Sequence, residues 1–457
     1  MVTPKRSLDF FSATTLVAAS MIGVGVYTTS GFTLAALGSS ERVVAAWIVG
    51  GIIAICGAIG YSSLASRFTE SGGEYLFLSK TLHPIAGMMA GWVSLLAGFT
   101  GAIAVAALGL EAYLKPLIHA DSLPAGSIAI FSVVVVAVLH TIGVRSAARI
   151  QDLFVIVKLI LIGGFLLYAV SQIASWAGGT ALAQTNAPDA PRGFLEFANQ
   201  LVWISFSYAG FNAAIYMASE IKSPARNVPR AMIYGTVLVT LIYVALNIIF
   251  VYAPAGSTIT NSDDVSQIAA TAATAVGGPQ FATVVRIIIC LSLFTSVSAM
   301  VMSGPRVYAK MADDRFLPRW FQFKNQTPIF AIWFQAIIAS IAISFSTLQE
   351  LLGYLGLTLS LCSALTVSMV FRLRKNGDSI RLPLFGIPAA IYVLSTLFLA
   401  VLYGINDPKP AIASAITLAV GLVLYPLFRN RICDQTSTDS KLQTDAMQQG
   451  TDNIPEL

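Results

Sequence analysis

The feature that most constrains this chain is a stretch of apolar residues, long enough to cross a membrane, that recurs about twelve times. A spanning helix needs roughly 20 mostly apolar residues, because lipid offers no water to backbone N–H and C=O groups and the helix must satisfy them itself. The stretches cover 10–37, 42–66, 84–114, 125–143, 150–174, 194–219, 229–253, 280–311, 328–346, 349–372, 383–404 and 409–428. Composition agrees. Charged residues make up 11% of the chain, against about 25% in a soluble domain. The mean hydropathy is +0.76. An all-α polytopic membrane protein with about 12 transmembrane helices is predicted.

Lys and Arg set the orientation. With a cytoplasmic N-terminus and strict alternation, Arg42, Lys115, Arg192 and Lys409 fall outside, Lys158 and Arg286 fall within spans, and the rest are cytoplasmic. That asymmetry supports an even number of spans, with both termini cytoplasmic. The net charge of +5 does not point to nucleic acid, since the basic residues are scattered over short loops. Cys56, Cys290 and Cys362 lie in spans and Cys433 in the tail, with neither metal-ligand nor disulfide spacing. No cofactor or metal is expected. A phosphate-binding Gly-rich loop is absent from the sequence, which argues against an ATP-driven pump. Residues 430–457 are polar and aperiodic and read as a disordered cytoplasmic tail.

Two spans are interrupted. The first contains SMIGVGVYTTSG, Ser20 to Gly31, and the sixth contains SFSYAGFNAA, Ser205 to Ala214. Glycine inside a helix costs about 1 kcal/mol relative to alanine. Small residues can instead let neighbouring helices approach closely, so one such span has two readings. Two interruptions five spans apart favour helices broken at mid-membrane, which mark transporter binding sites. A break exposes N–H groups on one half, which suit an anion, and C=O groups on the other, which suit an ammonium.

Four segments carry a resemblance to a known family: SRFTESGGEYLFL, SEIKSPARNVPRA, RVYAKMADDRFLP and TPIFAIWFQAIIA. In this order and spacing, from about Leu8 to Arg429, the chain resembles the amino acid–polyamine–organocation superfamily. That resemblance implies a LeuT-type 5+5 inverted repeat with broken helices 1 and 6. The first repeat would cover 10–174 after a cytoplasmic segment 1–9, the second 194–372, and two peripheral helices 383–428. It implies a substrate site where the two breaks face each other. Gly23, Val24 and Gly25 would hold a carboxylate through backbone N–H groups. Met21, with Ile22 beside it, would receive an amine on a carbonyl. Phe206 and Ala209 would add carbonyls, with the Phe206 ring as a lid. Val24 departs from the Ser or Thr of many relatives and removes a hydroxyl. Asn212 stands where some carriers of cationic substrates have an acid, which argues against arginine, lysine or polyamine.

Lys158 lies about nine residues past Arg149, roughly 13 Å into its span. A charge at that depth costs at least about 2.5–3.5 kcal/mol, and snorkelling to the interface is the alternative. The resemblance implies an ammonium standing where sodium-driven relatives hold their ion. It would touch carbonyls near Ala19 and Ile22 and hydroxyls of Thr295, Ser296 and Ser298. Lys158 is expected to gain and lose a proton during the cycle.

Arg286 reads as a snorkelling residue, and Glu111 and Glu350 read as interfacial. His83, His119 and His140 sit near helix ends without catalytic partners. Tyr27 and Phe32 read as core or lipid-facing rather than as pathway residues. The expected function is therefore alternating-access transport of small neutral amino acids across the inner (cytoplasmic) membrane, coupled to protons and without covalent chemistry. The alternatives are a sodium-independent amino acid exchanger and a permease for another amine, such as ethanolamine or a polyamine. With no cysteine in an outer loop, no obligate disulfide-linked subunit is expected.

Overall fold

The computed structural model describes residues 8–120, 122–142, 147–176, 193–254, 265–322, 328–375 and 383–426. The predicted tail 430–457 and Cys433 lie outside the described residues. The chain is helical almost throughout. In order, the helices are α1 (Phe10–Met21), α2 (Val24–Leu37), α3 (Ser40–Arg67), α4 (Gly73–Thr81), α5 (Pro84–Ile118), α6 (Ser127–Ile142), α7 (Ala147–Ser171) and α8 (Phe194–Ser207). They continue with α9 (Pro224–Tyr252), α10 (Ile268–Asp313), α11 (Ile329–Phe345), α12 (Leu348–Lys375), α13 (Ile387–Asn406) and α14 (Pro408–Pro426). Among the described residues seven helices are long and apolar enough to cross a membrane, α1 and α2 qualify together as a pair bent by 42°, and three shorter apolar helices accompany them. The protein is a polytopic helical membrane protein.

Large apolar side chains such as Phe131, Ile160, Leu167, Leu241 and Phe345 are exposed on the outer faces of the helices. On a soluble protein they would form an aggregating surface; here they face lipid. Close packing inside relies on small residues. A Cβ on Gly51 of α3 would lie 2.4 Å from Thr240 of α9, and one on Gly356 of α12 would lie 2.2 Å from the Val202 carbonyl of α8. Dispersion between backbones in contact replaces the hydrophobic effect as glue.

Helix ends are fixed by carboxylates and hydroxyls. Asp9 caps α1 through the Ser12 N–H at 2.8 Å. Thr347 and Glu350 form a reciprocal capping box at the start of α12. Glu111, buried on α5, accepts from the N–H groups of Gly126 and Ala129 at 2.8 and 2.9 Å and so caps the neighbouring helix α6. The two acids read as interfacial are thus both helix caps. His83 likewise accepts the Ile85 N–H at the head of α5.

Three elements were not anticipated. Helix α4 is a nine-residue helix in the segment between α3 and α5, buried along most of its length. The middle of α5, Ser94–Gly101, is π-helical. The N-terminal part of α10 turns at Gly278, where φ is +79°. In addition, an isolated parallel bridge joins Leu8 to Ile221: Leu8 N–H donates to Glu220 O and Lys222 N–H to Leu8 O.

Candidate functional site

Helix α1 ends at Met21 because Ile22 and Gly23 leave helical geometry, Ile22 at ψ 93° and Gly23 at φ −132°, ψ −156°. Helix α2 then begins at Val24 with no side-chain cap. Its first N–H groups have no partner one turn back, and they carry the positive end of the helix dipole. A Cβ on Gly23 would meet nothing nearer than the Met21 carbonyl at 3.9 Å, so that face of the break is open. Gly25 is the opposite case: its Cβ would fall 2.8 Å from the Ser207 Cα. Val24 is buried against α5, where a Cβ on Gly109 would come within 2.2 Å of it. Val24 therefore contributes packing and a backbone N–H.

The second break follows α8. Ser207 is its last residue, Gly210 sits at φ +99°, and a 3-10 stretch, Ala213–Glu220, resumes after Asn212. The positive φ and the tight contact both require glycine at 210: a Cβ there would lie 2.8 Å from the Ser20 carbonyl at the end of α1. The breaks are in contact. Phe206, Ala209 and Asn212 are half-buried beside them.

The carbonyl ends of both broken helices are held by one residue that sequence reasoning missed. The Tyr243 hydroxyl of α9 lies 2.6 Å from Met21 O and 3.0 Å from Ser207 O. The phenol is fully buried, edge-on to Trp47. Met21 O, assigned to a substrate amine, thus already accepts from a protein group, though a carbonyl has a second lone pair.

Lys158 is buried on α7, and its ammonium donates to the Ile22 carbonyl at the first break. A cation at the carbonyl end of α1 is where the helix dipole favours one. Of the other residues assigned to this group, Ala19 is half-buried one turn earlier on α1. Thr295 and Ser296 donate to Ser292 O on their own helix at 2.8 and 3.0 Å. Ser298 pairs with His140 Nε2 at 2.9 Å. Arg286 is half-buried on α10, with Nε outside any hydrogen bond.

Glu74 is the second residue that sequence reasoning missed. Its Oε1 accepts from the Tyr61 hydroxyl on α3, Asn212 Nδ2 at 3.2 Å and the Ser363 hydroxyl on α12 at 2.8 Å. Tyr27 and Phe32 are buried, and Gly101 packs against Leu355 of α12, while Gly98 has ordinary contacts only. Among the described residues no cluster of His, Cys, Asp or Glu could hold a metal. A groove of about 240 Å3 between α6 and α11, lined by Val134, Trp333 and Phe345, opens on the lipid-facing side and touches neither break.

Comparison with known proteins places this arrangement. The human "Large neutral amino acids transporter small subunit 2" is 27% identical over 93% of this chain and 80% of its own length. The "Serine/threonine exchanger SteT" of Bacillus subtilis is 26% identical over 93% and 96%. The mouse "b(0,+)-type amino acid transporter 1" is 25% identical over 93% and 88%. Their names describe carriers, not enzymes. Residues 8–426, both breaks included, match the family model described as "Amino acid permease", and the chain belongs to that family.

Proposed function

We propose that this protein is a secondary active transporter that moves small neutral amino acids across the cytoplasmic membrane by alternating access, with a proton as the coupling ion. The observation that carries the reading is the Lys158 ammonium seated on the Ile22 carbonyl at the first break. Protonated, Lys158 makes a charge-assisted bond that ties α7 to the end of α1. Deprotonated, it loses that bond and frees α1 to move. The substrate carboxylate would lie against the N–H groups of Gly23, Val24 and Gly25, and the amine against the carbonyls of Met21, Phe206 and Ala209. The uncharged Asn212 speaks for neutral substrates.

The architecture in this reading is twelve spans in a 5+5 inverted repeat, 10–174 and 194–372, followed by two peripheral spans within 383–428, with both termini cytoplasmic. Seven qualifying helices, a bent pair, three shorter apolar helices and the broken span of α8 with Ala213–Glu220 support it, as do two breaks in contact. Independence from a disulfide-linked subunit is supported by the burial of Cys56, Cys290 and Cys362, although the human relative is named as a small subunit. A relative named as an exchanger favours a second reading, sodium-independent exchange of one amino acid for another.

Uptake of labelled amino acids into proteoliposomes separates the two. Accumulation driven by an inward proton gradient, and lost in Lys158→Ala, is the expected outcome. Uptake only into liposomes preloaded with amino acid makes the protein an exchanger and Lys158 a fixed structural cation.

A further inference from the structure

We propose that Glu74 is a positioning residue for substrate selection: it fixes the amide of Asn212 so that the Asn212 oxygen is left to accept a hydrogen bond from a side-chain hydroxyl of the substrate. The inference rests on the reading of the two breaks as the substrate site, and it adds the chemical class of substrate, hydroxyl amino acids.

An asparagine amide can present either its oxygen or its nitrogen, and the choice is made by its neighbours. At Asn212 the neighbour is Glu74 Oε1, which already accepts from Tyr61 and Ser363. An oxygen that receives hydroxyl hydrogens is an acceptor whatever the charge on the other carboxyl oxygen. It therefore draws Nδ2 of Asn212, at 3.2 Å, and turns Oδ1 away. Asn212 stands at the head of the 3-10 stretch Ala213–Glu220, where an asparagine oxygen ordinarily caps the following N–H groups. No such cap bond is made. Asn212 is half-buried at the second break, two residues past Gly210, which touches the end of α1. An acceptor held in one orientation beside the breaks, and spent on neither cap nor neighbour among the described residues, fits a donor on the substrate.

The template is rigid for a reason visible in the fold. Glu74 is buried, and its partners Tyr61 and Ser363 are buried on two different spans. The carboxylate cannot follow Asn212 if the amide rotates. A site that fixes a hydrogen-bond acceptor discriminates against an isostere lacking the hydroxyl, since the acceptor is then left unpaired.

The test is a comparison of threonine and valine, which differ by a hydroxyl for a methyl, in proteoliposomes. The wild-type protein is expected to have a KM for threonine roughly 3- to 10-fold below that for valine, the worth of one hydrogen bond. Glu74→Leu should shrink the difference between the two substrates, raising the threonine KM by more than the valine KM. Glu74→Gln, which still offers an acceptor, should keep the preference. Asn212→Asp sets two carboxyl groups face to face and should lose threonine uptake; Glu74→Gln in the same chain supplies an amide donor and should restore it. This pair decides the matter if Glu74→Leu is not recovered folded. An unchanged threonine-to-valine ratio in Glu74→Leu, equal changes in both KM values, or no restoration in the double variant overturns the proposal. Wild-type uptake without any threonine preference also overturns it while leaving the transport reading intact. No amino acid uptake at all by the wild type would instead bring down the reading of the site.

Discussion

Gly23 and Gly25 stand two residues apart and are glycine for different reasons. At Gly25 a methyl group would strike the backbone of α8. Gly25→Ala should therefore destabilise the protein by about 1–3 kcal/mol, as overpacking does, seen as a lower melting temperature in detergent. At Gly23 the backbone is extended, a conformation open to any residue, and the space is free. Gly23→Ala should fold with a normal melting temperature yet lose uptake about tenfold or more, because its methyl fills the cradle in front of the α2 N-terminus. Normal uptake by a well-folded Gly23→Ala would remove the carboxylate from that position. The breaks were legible because glycine at mid-span is expensive, and Lys158 because a lone charge there is more so. Tyr243 was not legible: in LIYVALN an aromatic residue in an apolar run looks like core or lipid contact until the partner helices are placed. Glu74 was hidden by its address, since an acid in a loop between two spans is ordinarily solvated, whereas here the short helix α4 carries it into the interior. Nor did the sequence fix which way the hydroxyls of Thr295, Ser296 and Ser298 point, because a rotation of α10 by one residue moves each to a different neighbour.

At the scale of elements, α6 depends on a residue outside itself. Both oxygens of Glu111 accept from its first turn, joining a capping bond to a favourable charge at the helix head. Glu111→Gln turns one acceptor into a donor facing an N–H group and should cost about 1–3 kcal/mol. A melting temperature equal to wild type would show the cap to be dispensable. Just beyond α10, burial and then the charge of Glu70 push the Asp314 carboxyl up to about 6. An acid with a raised folded-state value binds its proton more tightly in the folded protein. Its contribution to stability is therefore greatest at low pH and falls as the pH rises between about 4 and 6. Asp314→Asn should flatten the melting temperature across that window; a wild-type slope would assign the pH dependence elsewhere. Helix α4 escaped sequence reading because nine residues are too few for a span and its apolar pattern has no exposed face to set a period.

On the scale of the whole molecule, the spans were readable because their length is dictated by the bilayer, and most boundaries differ from the observed helices by a few residues; α10 begins at Ile268, twelve residues before the predicted 280, because the kink at Gly278 lets a further helical stretch precede it. How the spans pack was not readable, since contacts such as Gly51 with Thr240 depend on helix rotation. Burial is uneven along the first broken span. Val24 to Leu34 are buried without interruption, whereas Ser20 at the end of α1 is exposed. A cysteine at Ser20 should react with a membrane-impermeant thiol reagent added from the cytoplasmic side, and one at Thr29 should resist it from both sides. Equal labelling of the two would mean that the outer half is not sealed. The bridge between Leu8 and Ile221 has a consequence of another kind. It joins the chain just before the first broken span to the chain just after the second through main-chain groups alone, so substitution of side chains leaves it in place. Any motion that parts those two ends must expose the amides of Leu8 and Lys222 to solvent. Their deuterium exchange would then be a clock that ticks once for each parting, and its rate with and without substrate would time the carrier's cycle from a place that substrate never touches.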